Sequence, residues 1–194
     1  MGFAYLEAPM IRLSVAMLLL AGLGACATPA RYPSMVPELA TAELGPGPAP
    51  SYRGAITVGS VSIGTDASAP WTSQIGSAQF QEALVRTLTL ANLAAPNGRF
   101  RLDAMLLRLD RPYAGFAMTV TASVAYRLTD LATGAVVYQE TRTSLGTATL
   151  DDAVLNENRL RIADERALRA NLRKLIEDLY ALPERGSATS SRRT

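Results

Sequence analysis

Met118-Thr119-Val120-Thr121-Ala122-Ser123-Val124-Ala125-Tyr126-Arg127-Leu128-Thr129 alternates between apolar residues and mostly small polar ones without a break. A period of two marks a strand with one face in a core. Met118, Val120, Ala122, Val124, Tyr126 and Leu128 form the inward set, and Thr119, Thr121, Ser123, Ala125, Arg127 and Thr129 the outward one. Residues 130–134, ending in Gly134, make a short turn, and residues 136–143 return as a second strand, so the two pair as an antiparallel hairpin.

The chain on either side follows the same logic. Phe100, Leu102, Ala104 and Leu106 alternate as a strand that Pro112 and Gly115 separate from the hairpin. Upstream, Phe80, Leu84, Leu88 and Ala91 share one helical face and predict a helix over residues 72–94, ended by Pro96-Asn97-Gly98. Ile56 and Val58, then Val61 and Ile63, mark a first strand, with Gly59 where the phase changes and a bulge fits.

Residues 158–182 predict the last helix. Leu160, Ala163, Ala167, Leu168, Leu172, Leu175, Ile176 and Leu179 make its apolar face, with Arg159, Arg166, Arg169 and Arg173 opposite. Asn171 interrupts the apolar face and is expected to hydrogen-bond to the sheet. The order strand, helix, three strands, helix implies an α+β fold, a mostly antiparallel sheet of about four strands with two helices on one face.

Leu23-Gly24-Ala25-Cys26 closes the apolar run 13–20, which follows Arg12. A bacterial lipoprotein signal needs these parts: a positive start, an apolar segment, small residues at the cut, and a cysteine that receives a diacylglyceryl group. Met10 is the more natural start, since Glu7 otherwise puts an acid ahead of the apolar run. The alternative is a free core Cys26 behind a membrane anchor or a buried helix, but a spanning helix needs roughly 20 apolar residues and this run is shorter. Residues 1–25 are therefore read as a signal peptide, with Cys26 as the lipidated first residue of the mature chain.

Residues 27–50 hold Pro29, Pro33, Pro37, Pro46, Pro48 and Pro50, a density that predicts an extended, solvated tether over 26–54. The domain proper is expected over 55–182, and the Ser-, Thr- and Arg-rich residues 183–194 as a disordered tail. Several acyl chains on one cysteine anchor a protein stably to a membrane. Ala27, rather than Asp, follows the cysteine, which resembles cargo sorted to the periplasmic face of the outer membrane.

The chain has no histidine, which removes the commonest general base and the Ser-His-Asp triad. Cys26 is the only cysteine, so once lipidated it leaves no thiol for a disulfide, metal or nucleophile. No metal site or cofactor is expected beyond the covalent lipid on Cys26. Asp151-Asp152 reads as helix capping rather than an acid-base pair. With 19 basic and 17 acidic residues the charge is too balanced for a nucleic-acid partner.

Two surfaces could meet a partner. Met105, Leu107 and Leu109 fall on the outward set of their strand and give the second sheet face an apolar patch. Arg159, Arg166, Arg169 and Arg173 could bind an acidic protein, phospholipid or lipopolysaccharide phosphate. Glu165 and Glu177 lie four residues from Arg169 and Arg173, so a locally paired, solvated face competes with that reading.

Tyr126-Arg127-Leu128-Thr129-Asp130 followed by Thr133-Gly134, the helix from Asn171-Leu172 to Leu179, the lipobox and the element order together resemble small proteobacterial lipoproteins of an uncharacterised family. The plan over residues 55–182 is similar to the auxiliary lipoproteins of ABC-type lipid transport systems and to the lipoprotein of the lipopolysaccharide-assembly barrel. The resemblance implies a non-enzymatic accessory or binding subunit in envelope assembly or lipid transport, attached through its lipid and recruiting an envelope protein. Two other readings stay open: an envelope hydrolase using Ser or carboxylates, and a direct lipid carrier with an apolar cavity between sheet and helices.

Overall fold

A computed structural model of the chain describes residues 30–39, 47–65 and 75–184. The signal peptide, Cys26 and residues 185–194 lie outside them. The elements run α1 (Tyr32–Met35), a 3-10 turn (Pro50–Tyr52), β1 (Ile56–Ile63), α2 (Ser77–Leu90), β2 (Phe100–Asp110), β3 (Met118–Asp130), β4 (Val136–Ala148) and α3 (Asn156–Ala181).

The strands form one sheet in the order β1-β2-β3-β4. β1 and β2 pair in parallel, which requires the crossover that α2 supplies, and β2-β3 and β3-β4 are antiparallel. The expected α+β plan is the observed one. β3 keeps the predicted alternation throughout: Met118, Val120, Ala122, Val124, Tyr126 and Leu128 are each at most 1% exposed. The register of β1 slips between Val58 and Val61, around Gly59, where the change of phase predicted a bulge.

Helix α2 buries Phe80, Leu84 and Leu88, and α3 buries all eight predicted apolar positions. Each buried Leu, Ile or Phe among them contributes about 1.5–3 kcal/mol relative to exposure. Gly146 allows α3 to lie close on β4, because a Cβ there would stand 2.2 Å from both the Ala163 carbonyl oxygen and the Ala167 nitrogen. β4 runs five residues past the expected end at 143, to Ala148; its small residues carry little pattern but suit this approach.

The N-terminal stretch departs from the expected tether. Tyr32–Met35 forms a helical turn with Pro33 in its first positions, where a missing N–H costs nothing. Met35 is fully buried, Arg31 N donates to Glu165 Oε1 at 2.9 Å, and Arg169 Nε donates to the Ser34 carbonyl at 2.8 Å. Tyr52 is 1% exposed, its ring centroid 4.8 Å from that of Phe100. Prolines exclude a long regular element here, yet the apolar residues between them still bury themselves, so the described fold includes residues 30–39 and 47–54.

Candidate functional site

A network of buried polar side chains holds α3 to the sheet. Tyr126 Oη donates to Asn171 Oδ1 at 2.9 Å, and Asn171 Nδ2 donates to the Arg142 carbonyl at 2.7 Å and to Ser144 Oγ at 2.9 Å. Ser144 Oγ in turn donates to the Ala167 carbonyl at 2.8 Å, returning the network to α3. Asn171 thus bonds to the sheet as expected. Beside it, Tyr138 Oη donates to Asp178 Oδ2 at 2.6 Å and Arg142 Nη2 to Asp178 Oδ1 at 2.8 Å; burial and this carboxylate raise the Tyr138 phenol above its ordinary range.

Of the arginines on α3, Arg159 alone turns fully inward, and Arg166 and Arg173 pair at the surface. Arg159 was expected on the solvent side but is buried: its Nη1 donates to the Ala153 and Val154 carbonyls at 3.0 and 2.6 Å, its Nη2 to Gly115 and Asn156 at 3.1 and 2.8 Å. Helical periodicity misplaced it because the β2-β3 and β4-α3 loops fold over that side of the helix. Arg166 grips Asp152 through both carboxylate oxygens at 2.8 and 2.6 Å. Asp152 therefore serves as an ion-pair partner instead of a helix cap; the residue at the α3 N-cap is Leu155, without a side-chain cap bond. Arg169 holds α1, and Arg173 Nε donates to Glu177 Oε1 at 3.1 Å.

The outer sheet face carries Met105 and Leu107, both exposed, but not Leu109. The β2-β3 register slips between Leu106 and Arg108, so Leu107 occupies the irregularity and Leu109 returns to the core. A one-residue slip flips every later side chain, which strict alternation could not foresee. The rest of this face is mostly hydroxyls and small residues, with Thr119 opposite Thr147 and Ser123 opposite Thr143, each pair 3.0 Å apart. A shallow depression of about 260 Å³ opens between Ser60, Asp103, Met105, Arg127 and Gln139. Asp103 accepts from Ser60 N at 2.8 Å; partial burial would raise its carboxyl, but the Ser60 donors and Arg101 hold it below the ordinary value.

Sequence periodicity overlooked a third feature, at the end of the fold where the β2-β3 and β4-α3 loops meet. Tyr113, Phe116, Val154 and Leu155 stand exposed there. The signal was present as large apolar residues inside segments otherwise marked as breakers. Among the described residues, no group of three or more metal-ligating side chains gathers, and no helix is long and apolar enough to cross a membrane. The space between α3 and the sheet is filled by Leu168, Leu172, Leu175, Ile176 and Leu179, all without exposure.

No family model matches the chain, and no curated protein matches it. Solved structures do. A Xanthomonas campestris protein of the DUF330 family is 16% identical, with a TM-score of 0.51 over 70% of this chain and 91% of that one. PelC from Paraburkholderia phytofirmans, solved as a dodecamer, is 18% identical with a TM-score of 0.48 over 69% and 94%. A minor lipoprotein of Acinetobacter baumannii is 13% identical with a TM-score of 0.39 over 68% and 100%. The chain shares the fold of the Xanthomonas protein.

Proposed function

We propose that this chain is a lipid-anchored envelope protein that works as a non-enzymatic accessory subunit in envelope assembly or lipid transport. The observation that carries the reading is Leu23-Gly24-Ala25-Cys26 behind an apolar run. Four positions separate Cys26 from Ala30, which is 2% exposed, so the described fold begins almost at the anchor. The domain is held against the outer membrane, on its periplasmic face, rather than on a long tether. Four of its described carboxylates favour a binding role over hydrolysis: Asp130, Asp152, Asp164 and Asp178 are each paired with an arginine. The open sheet face around Met105 and Leu107, uncovered among the described residues, is where an envelope protein docks.

Crosslinking in native membranes, comparing wild type with Cys26→Ala, tests this. A barrel or transporter component captured only by the wild type, through positions 105 or 107, is the expected result. Specific phospholipid without a protein partner would favour the carrier reading, and hydrolysis of an envelope substrate by the purified domain would overturn the non-enzymatic one.

A further inference from the structure

The end of the fold that carries Tyr113, Phe116, Val154 and Leu155 is built like a preformed tip. Their exposures are 94, 81, 82 and 61%. Soluble surfaces scatter single apolar residues, whereas a contiguous cluster marks a surface that meets something apolar. The two loops are also held in place. The buried Arg159 guanidinium bonds carbonyls of both, reaching Gly115 in one and Ala153 and Val154 in the other, and Asn156 Nδ2 donates to the Tyr113 carbonyl at 3.4 Å. At the root of the first loop, Arg111 is locked onto Asp164 by bonds of 2.9 and 3.0 Å.

The path of the N-terminal segment says what covers this tip. Arg31 bonds Glu165 and Ser34 bonds Arg169, so the segment from Arg31 to Ser34 runs toward the α3 C-terminus and the described fold begins beside the N-terminal half of α3. Arg159, at the base of the tip, is six residues before Glu165, about 9 Å along the helix axis. The four residue-to-residue steps from Cys26 to Ala30 reach at most about 14 Å. That reach is long enough for the Cys26 anchor to sit at the end of the domain that carries the tip.

We infer that Tyr113, Phe116, Val154 and Leu155 enter the interfacial layer of the bilayer that holds the Cys26 acyl chains, orienting the domain with β2 and β3 rising from the membrane. The inference rests on the lipid-anchor reading of Cys26. Aromatic rings favour the headgroup level, and apolar side chains beside them add buried area. At the opposite end of the sheet, the β3-β4 turn exposes Leu131, which would face away from the bilayer.

Because Cys26 is the only cysteine and its sulfur carries the lipid, one introduced thiol can be labelled alone. Full-length lipidated chains bearing Phe116→Cys, Val154→Cys or Leu131→Cys, each labelled with an environment-sensitive NBD fluorophore, are placed in phosphatidylethanolamine-phosphatidylglycerol vesicles. Circular dichroism checks each fold, and mass spectrometry checks acylation of Cys26. The expected result is emission that rises several-fold at 116 and 154 and is quenched by shallow doxyl lipid, with 131 remaining aqueous. An acylated protein whose probes at 116 and 154 stay aqueous would overturn this inference alone, as would shielding seen only in native membranes, which would assign the tip to a protein. An unacylated Cys26 would overturn the anchor reading and the inference with it.

Discussion

Tyr126 on β3 donates a 2.9 Å hydrogen bond to Asn171 on α3 where both side chains are at most 1% exposed. Burial pushes the Tyr126 phenol well above its ordinary value of 10.0, so it remains a protonated donor. The bond fixes the rotation of α3 over the sheet, because Asn171 also donates to Ser144 and to the Arg142 carbonyl.

Asn171→Leu should destabilise the fold by about 2–4 kcal/mol, since it orphans the buried Tyr126 Oη and removes the donor to the part-buried Arg142 carbonyl. Tyr126→Phe should cost about 1–2 kcal/mol. In a double-mutant cycle followed by urea unfolding, the combined variant should lose less than the sum. Strict additivity would mean that the two groups do not act as a pair.

Gly146→Ala is expected to lower stability by about 1–3 kcal/mol or more, because the new methyl meets backbone atoms of Ala163 and Ala167 that cannot swing aside. Gly134→Ala also costs stability, but through its φ of 74° in the turn rather than through contact. Amide exchange separates the two: the first should loosen α3 against β4, the second only the hairpin end. Unchanged α3 protection in Gly146→Ala would refute the close approach.

Arg111 and Asp164 form an ion pair whose side chains are 8 and 0% exposed. Breaking it with Asp164→Asn should cost about 3–5 kcal/mol by stranding a buried guanidinium, while Arg111→Met with Asp164→Leu should recover much of the loss. Denaturant midpoints decide this; a single variant no worse than the double would exclude a stranded-charge penalty.

Acid should weaken the fold in a defined window. Arg166, with the Thr149 amide, holds the Asp152 carboxyl at about 2, below its ordinary 3.8, and Arg99 lowers Asp130 in the same direction. The unfolded chain therefore takes up these protons first, and the stabilisation present above pH 3.8 is lost as pH falls toward 2. Thermal melts across this range should show a shallower acid decline for Asp152→Asn than for wild type. Parallel declines would remove Asp152 as a contributor.

The motif Tyr126-Arg127-Leu128-Thr129-Asp130 with Thr133-Gly134, which carried the family resemblance, has a structural meaning residue by residue. Tyr126 bonds Asn171, Leu128 is core, and Asp130 accepts from Arg99 at 3.1 and 2.7 Å and from the Ala132 amide at 3.0 Å. Gly134 takes the left-handed conformation that closes the turn. Such residues specify a hairpin under a helix, which is why they were legible without coordinates and why they say little about a partner.

The sequence alone determined the six elements from β1 to α3, most of their faces, the bulge at Gly59 and the bond awaiting Asn171, because periodicity and local backbone preference are properties of neighbouring residues. It is also the sole source of the lipobox, which lies outside the described residues. Only the tertiary structure decided where Leu109 and Arg159 point, that Met35 and Tyr52 belong to the core, and that Tyr113, Phe116, Val154 and Leu155 converge at one end. Each of those outcomes depends on what a distant segment lays against the residue, and no local pattern records that: a slipped register against β3, two loops folded over α3, and an N-terminal segment packed along the last helix.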